Sequence, residues 1–459
     1  MTPIRTTLPR RALATVLLTA SLVACASSTP ATSPSGTWAS SPASDRPAAS
    51  APDPASGPPA STAATPTSPT SATAAEIVRL QALVLADPAD ADAERDLGFA
   101  LAQRVRETAD PSLYGPAMDA FQAALRLDPD DAVALVGVAG IQLGKHAFAD
   151  ALETAAAALR LSPSLVAAHA AKVDALVELG RYDDADAAAG IMLGLRADLS
   201  TLARSSYLAE LHGHLPAALA AMRQAAASPG LAPENSAYVQ ALLGNLLVAS
   251  GDPAAAAAAY GTALDLVPDH PPSLLGQGRL AVGAGRLEEA IDRFARAAAV
   301  VPLPEYVIAL GDAQAAAGRS ADAARSYDLA RAEIQLFKAA GVVVDVDLAL
   351  LEADHGDPVA ALGYAMTAVR ATPTVRAADA VAWALHRLGR DRDALSDVQA
   401  ALRLGSIDPV IRYHAGAIEA ALGDVKAARR DLIRALETDP GFSAAGAAEA
   451  RRILASLPA

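Results

Sequence analysis

Residues 243–268 read LGNLLVASGDPAAAAAAYGTALDLVP, and residues 277–302, 34 positions on, read QGRLAVGAGRLEEAIDRFARAAAVVP. Laid over each other, the two stretches match at Gly244/Gly278, Gly251/Gly285, Ala256/Ala290, Tyr260/Phe294, Ala263/Ala297 and Pro268/Pro302. The same frame runs outward in both directions. Gly180, Gly213, Gly251, Gly285, Gly318, Gly356, Gly389 and Gly423 are each followed five residues later by alanine: Ala185, Ala218, Ala256, Ala290, Ala323, Ala361, Ala394 and Ala428. Seven further on comes Ala225, Ala263, Ala297, Ala330, Ala368, Ala401 or Ala435, with Met192 in the first copy. Self-similarity at this period marks a stacked array in which each unit buries its apolar face against its neighbours.

Apolar residues recur at three- and four-residue spacing from position 74 onward, as in Ile77, Leu80, Leu83 and Val84, and no segment alternates with strand period. Each unit therefore reads as two helices joined at the glycine, whose missing Cβ permits the left-handed conformation that ends the first. Pro129, Pro163, Pro268, Pro302, Pro373 and Pro440 stop the second helices. The chain is 52% hydrophobic but only 4% aromatic, so its apolar surface is mainly Ala, Leu and Val and suits helices packed through small faces.

These positions resemble the tetratricopeptide repeat. The resemblance implies an all-α, right-handed superhelical solenoid of about ten helix pairs over residues 74–441, closed by a polar-faced helix within 442–459. It also implies a protein-binding scaffold and no enzyme. The first copy carries an insertion around 106–115 that lengthens its turn, and residues 334–341 add a turn and a loop after the seventh. The aromatic residues of the family's first helix are mostly replaced here by Ala, Leu or Val.

The N-terminus has a different logic. Arg10 and Arg11 precede an apolar run over 12–24, too short to span a bilayer but suited to a secretory signal. The run ends Leu22-Val23-Ala24-Cys25, which resembles the lipobox of bacterial lipoproteins. That resemblance implies a signal peptide over 1–24, a lipid on Cys25, and a protein held on the extracytoplasmic face of a cell membrane or outer membrane. Residues 26–73 hold ten prolines among Ser, Thr and Ala, so no helix or sheet propagates there, and 25–73 reads as a disordered tether with a mean reach of about 40 Å. As the single cysteine, Cys25 excludes an internal disulfide and any multi-cysteine metal site.

Net charge is −14, and removing residues 1–24 with their three arginines takes it to −17. An acidic surface with no basic cluster repels phosphate backbones, so nucleic acid is not an expected partner. In a superhelix of this kind the first helices line a concave groove, and residues six or ten before each turn glycine point into it. Six before gives Asp174, Tyr207, Asn245, Arg279, Asp312 and Trp383; ten before gives Asp379 and Tyr413. Tyr207, Asn245, Arg279, Asp312, Asp379, Trp383 and Tyr413 are the expected contacts for a partner protein or peptide, since aromatic and arginine side chains supply most of the energy at interfaces.

Other motifs carry less. Asn245 matches an asparagine that some tetratricopeptide proteins use to hold a terminal carboxylate, but the basic partner expected four residues earlier is Ala241. His212-Gly213-His214 straddles a turn with only Glu210 near, a poor frame for a metal. The stretch 276–281 echoes a dinucleotide fingerprint but lies inside a helix rather than after a strand. In 352–357, Asp357 caps the next helix with Pro358 at its first position, leaving Asp354 and His355 as candidates. No nucleophile, base and orienting residue come together, and no cofactor is implied. Two other readings stand beside the scaffold: a structural subunit of a secretion, pilus or outer-membrane assembly complex, and a metal-binding or enzymatic protein using His355, His386 or the 212–214 pair.

Overall fold

A computed structural model describes residues 72–228, 230 and 232–458. The signal segment, Cys25 and nearly all of the tether lie outside the described residues. α1 (Ala72–Ala86) stands first and unpaired. Ten helix pairs follow: α2 (Ala91–Thr108) with α3 (Tyr114–Leu127), α4 (Ala132–Gly144) with α5 (Phe148–Leu161), α6 (Val166–Glu178) with α7 (Tyr182–Leu195), α8 (Leu199–Leu211) with α9 (Leu215–Ala227), and α10 (Pro233–Ala249) with α11 (Pro253–Leu266). Next come α12 (Pro271–Gly283) with α13 (Leu287–Val300), α14 (Pro304–Ala316) with α15 (Ser320–Ala339), α16 (Asp345–His355) with α17 (Pro358–Ala371), α18 (Val375–Arg387) with α19 (Asp391–Ala401), and α20 (Pro409–Leu422) with α21 (Val425–Thr438). α22 (Ala444–Ser456) closes the array. Among the described residues there is no strand, and no helix is long and apolar enough to cross a membrane. The fold is an all-α helical-repeat solenoid. The insertion in the first unit forms a 3₁₀ turn at Pro111–Leu113.

The turns follow the expected chemistry with one exception. Seven of the eight turn glycines have φ between 70° and 81°. Gly356 does not: its φ is −150° because the Glu352 carboxylate folds back over the turn and accepts from the Asp357 amide at 3.0 Å. Before the glycine series begins, Ala109 and His146 take the left-handed place themselves. Aspartates cap many helix starts; Asp131 accepts from the Val133 and Ala134 amides, and Asp252, Asp357 and Asp408 each stand before a proline at the first helical position.

The alanine at each fifth position after the glycine is buried in every copy, as are the residues seven further on. Rings then fill sockets left by glycines on the first helices. Phe121 lies against Gly98 and Gly137, Tyr260 against Gly244 and Gly276, Phe294 against Gly278 and Tyr327 against Gly311, where an added Cβ would come within 2.2–2.7 Å of the ring.

Packing this close winds the array tightly enough for one turn to touch the next. The His146 ring nitrogen Nδ1 lies 2.6 Å from the Val343 carbonyl, and the Val375 amide donates to the Tyr182 hydroxyl at 3.0 Å across 193 residues. The Gly213 turn presses on the Gly405 carbonyl, and Gly441 packs on the Arg279 carbonyl with no room for a Cβ. In the first three cases a turn inside one pair meets a connection between later pairs, and in the fourth the connection from α21 to α22 meets the last turn of α12. The edges of successive superhelical turns therefore form a seam, and the first helices enclose an inner face.

Candidate functional site

That inner face is where a partner was expected, and the structure divides the seven predicted contacts. Tyr207 is 38% exposed. Asn245 is exposed, with its Oδ1 accepting from the Tyr260 hydroxyl at 2.7 Å. Arg279 is half-buried and pairs with Glu305 at 3.2 Å. These three reach the accessible inner face.

The other four require correction. Trp383 is 1% exposed; its Nε1 donates to Asp354 at 2.7 Å and its ring stacks on His414 at 3.9 Å. Asp379 is buried with both oxygens 3.0 Å from His414 Nδ1. Asp312 accepts from Tyr327 and from Ser443 of the closing segment, and lies 3.1 Å from His355 Nε2. Tyr413 donates to Glu449 on α22. Spacing along a helix gives the direction of a side chain but not the distance to the next helix. Here neighbouring first helices, and α22 beside α14 and α20, close over these four groups.

The histidines offered to a metal or to catalysis are engaged in packing. His355 stacks on Tyr327 at 3.8 Å, and His386 sits 2.5 Å from Asp391 beside Trp383. His212 lies 2.9 Å from Asp186, next to the seam turn at Gly213. Among the described residues no group of three His, Cys, Asp or Glu is arranged to hold a metal ion. A cavity of about 440 Å³ lies at the seam between Arg181, Tyr182 and Arg403. Its arginines are already engaged, Arg181 with Asp184 and Arg403 with the Pro373 carbonyl and the Tyr182 ring.

Sequence spacing missed a second set of inner-face groups, at the ends of the first helices. Glu178 and Glu210 stand at the C-terminal ends of α6 and α8. Glu234 and Tyr238 lie in the first half of α10, Glu305 and Tyr306 at the start of α14, and Arg376 at the start of α18. Burial pushes the Glu178 carboxyl up to about 7, with Asp174 and Asp347 adding to the rise and Arg376 opposing it. Burial likewise pushes Glu210 to about 7, helped by Asp408. The Tyr207 hydroxyl is raised well above its usual range by burial and then by Glu178 and Glu210, so helices from different repeats converge on one shared space. Three cations on this face pair with carboxylates of an adjacent first helix: Arg204 with Asp174, Arg279 with Glu305, and Arg376 with Asp347. A rule extended to 12 or 13 residues before the turn glycine would have found Tyr238, Tyr306, Glu305 and Arg376.

A model of the tetratricopeptide repeat matches residues 241–300 and 275–335, so residues 241–335 carry such repeats. No curated protein matches the sequence. Among solved structures, the human IFIT1 dimer with PPP-AAAA aligns with a TM-score of 0.46 and 15% identity over 69% of this chain and 73% of that one. The human IFIT1 dimer with m7Gppp-AAAA gives 0.46 and 15% over 72% and 76%. YrrB, described as a TPR protein with an unusual peptide-binding site, gives 0.29 and 18% over 40% of this chain and 94% of its own.

Proposed function

We propose that this chain is a lipid-anchored, extracytoplasmic scaffold that takes partner proteins or peptides on the inner face of its superhelix. The observation that carries the binding half is that face itself. It presents Tyr207, Asn245, Arg279 and Arg376 to solvent between walls of first helices, whereas the other aromatic side chains among the described residues are largely spent on packing. Tetratricopeptide repeats over 241–335 support the same reading, because such arrays present extended concave surfaces for recognition. The anchoring half rests on the sequence around Cys25, with residues 26–73 as a tether that lets the array stand clear of the lipid. The unpaired acid on the inner face argues against phosphate-bearing partners, so nucleic acid is outside the proposal.

Two experiments test the halves separately. A photoreactive residue at 207 in cells should crosslink a partner, while one at Val359, an outward side chain, should not. Capture only from 359 would overturn the inner-face reading. Cys25→Ser should move the protein out of the membrane fraction, and unchanged fractionation would refute the lipid anchor. Native co-purification in detergent distinguishes a fixed envelope complex from transient partners: one constant stoichiometry favours a machine subunit, and exchange between partners favours the scaffold.

A further inference from the structure

Five tyrosine hydroxyls in this protein have hydrogen-bond partners. Tyr114 donates to the Gly144 carbonyl, Tyr260 to Asn245, Tyr327 to Asp312 and Tyr413 to Glu449, and Tyr182 accepts from the Val375 amide. That is the ordinary rule for polar groups removed from water. Tyr238 on α10 and Tyr306 on α14 differ. Their side chains are 9% and 4% exposed, and among the described residues neither hydroxyl has a hydrogen-bond partner, so each is left to the solvent of the inner face.

The same charged groups act on both hydroxyls. Burial first, and then the carboxylates of Glu305 and Glu234, raises the ionisation of each, and Tyr306 feels Tyr238 directly. Glu210 and Asp174 reach Tyr238 from α8 and α6. Glu178 and Glu210 act in turn on Tyr207, whose hydroxyl again has no partner among the described residues. Glu178 and Glu210 are themselves only half-buried and have neither an ion pair nor a hydrogen bond among the described residues. Arg376, whose charge acts on Glu178, is committed to Asp347, and Arg279, whose charge acts on Tyr306, is committed to Glu305. The interior thus offers two carboxylates with no partner cation among the described residues, beside phenol oxygens with a lone pair to spare.

We infer that the inner face binds a basic, extended polypeptide segment, whose lysine or arginine side chains donate to the Tyr207, Tyr238 and Tyr306 hydroxyl oxygens and to the Glu178 and Glu210 carboxylates. This rests on the scaffold reading and adds the chemistry of the partner. A single small cation does not fit the arrangement, because the acceptors belong to several first helices. Helices packed in sequence sit about 8–10 Å apart, so following the wall from Glu178 on α6 to Tyr306 on α14, four steps of first helices, takes roughly 32–40 Å. That is about ten to twelve residues of extended chain at about 3.3 Å each. An ammonium or guanidinium group suits both acceptor types, since it brings several donors and the missing positive charge together.

The test uses the full chain purified in detergent and three labelled probes read by fluorescence anisotropy: a ten-residue lysine- and arginine-rich peptide, the same length rich in glutamate, and an oligoadenylate RNA. The basic peptide alone should saturate, and added salt should weaken it. Glu178→Gln with Glu210→Gln should weaken it at least about tenfold, as expected when charge-assisted contacts are lost. Tyr238→Phe with Tyr306→Phe should weaken it by a smaller factor. Neither pair removes a hydrogen bond of the fold, so circular dichroism should be unchanged, and Asp150→Asn on an outer helix face serves as the neutral control. Equal affinity for the acidic peptide, binding of the RNA instead, or basic-peptide binding indifferent to both double variants would overturn the inference. Crosslinking at 207 to a partner through a neutral or acidic segment would also sink it while leaving the scaffold standing. No crosslink at 207 would sink the scaffold reading independently.

Discussion

Gly276→Ala adds one methyl where the structure leaves no room. A Cβ built there lies 2.3 Å from Tyr260 Cζ and 2.4 Å from Cε1, roughly 1 Å inside ordinary van der Waals contact. The ring cannot retreat: Tyr260 is buried, its hydroxyl is tied to Asn245, and its far side meets Gly244 just as closely. Overpacking of this kind costs about 1–3 kcal/mol, while alanine gains about 1 kcal/mol over glycine in a helix. The expected net loss is therefore up to about 2 kcal/mol. Two controls sit in the preceding unit. Gly261→Ala in α11 meets nothing within 4 Å and should stabilise by about 0.5–1 kcal/mol. Gly251→Ala has open space but φ of +79°, and should cost about 1–2 kcal/mol through backbone strain. Urea midpoints by circular dichroism would rank them, with hydrogen exchange over 243–302 locating the change, because repeat arrays need not unfold in one step. Adding Tyr260→Leu should rescue Gly276→Ala and leave Gly251→Ala unrescued. A Gly276→Ala midpoint at or above that of Gly261→Ala would refute the picture of rings locked into glycine sockets.

Three further outcomes follow from the same geometry. Glu178 and Glu210 have folded-state pKa values near 7, against an ordinary 4.5, so their ionised forms cost stability above pH 7 and the cost vanishes as pH falls to 4.5. The groups facing them are Asp174, Asp347, Arg376 and Tyr207 for the first, and Asp408, Tyr207 and Tyr238 for the second. Glu178→Gln with Glu210→Gln should thus melt above the parent at pH 8, with the gap closing towards pH 5; a gap independent of pH contradicts it. Trp383→Phe removes the indole donor to the Asp354 carboxylate and shrinks a ring that is 1% exposed, and should cost about 1–3 kcal/mol without altering partner capture at 207, whereas lost capture in a folded variant would return Trp383 to the contact surface. Tyr182→Phe leaves the buried Val375 amide without its acceptor, so that amide should exchange faster by hydrogen–deuterium measurements; unchanged protection would mean the seam does not hold there.

The array was legible because its evidence is local. A glycine at each turn and an alanine five residues later fix how the two helices of one unit approach, and every such alanine is buried. The Gly356 turn escaped that reading because a side chain, Glu352, does what backbone freedom does elsewhere. The inner face was only half legible for a different reason. Counting six or ten residues back from a glycine fixes an angle around one helix, and at Tyr207, Asn245 and Arg279 it lands on accessible side chains. It failed at Trp383 and Asp379 because His414, 31 and 35 residues away, closes on both. It also passed over Tyr238 and Tyr306, because they lie 13 and 12 residues before their glycines, outside the two offsets counted.

The irregular residues after the seventh unit explain why the superhelix seals rather than staying open. α15 has 20 residues where α11, α13 and α17 have 14. Its added turns bury Ile334 and Phe337, which join Val342 and Val344 in one apolar cluster with Val105, Tyr114 and Ile141 from the first two units. Side chains nearly 200 residues apart in sequence thereby share a core, and Gly341 to Val343 reach Lys145 and His146 at the seam. A strictly periodic α15 would end before Ile334 and contribute neither ring nor loop. The repeat builds the wall, and this departure from the repeat brings the second turn down onto the first, so the face that carries Glu178, Glu210 and the three tyrosines lies inside a wall held shut by its own core.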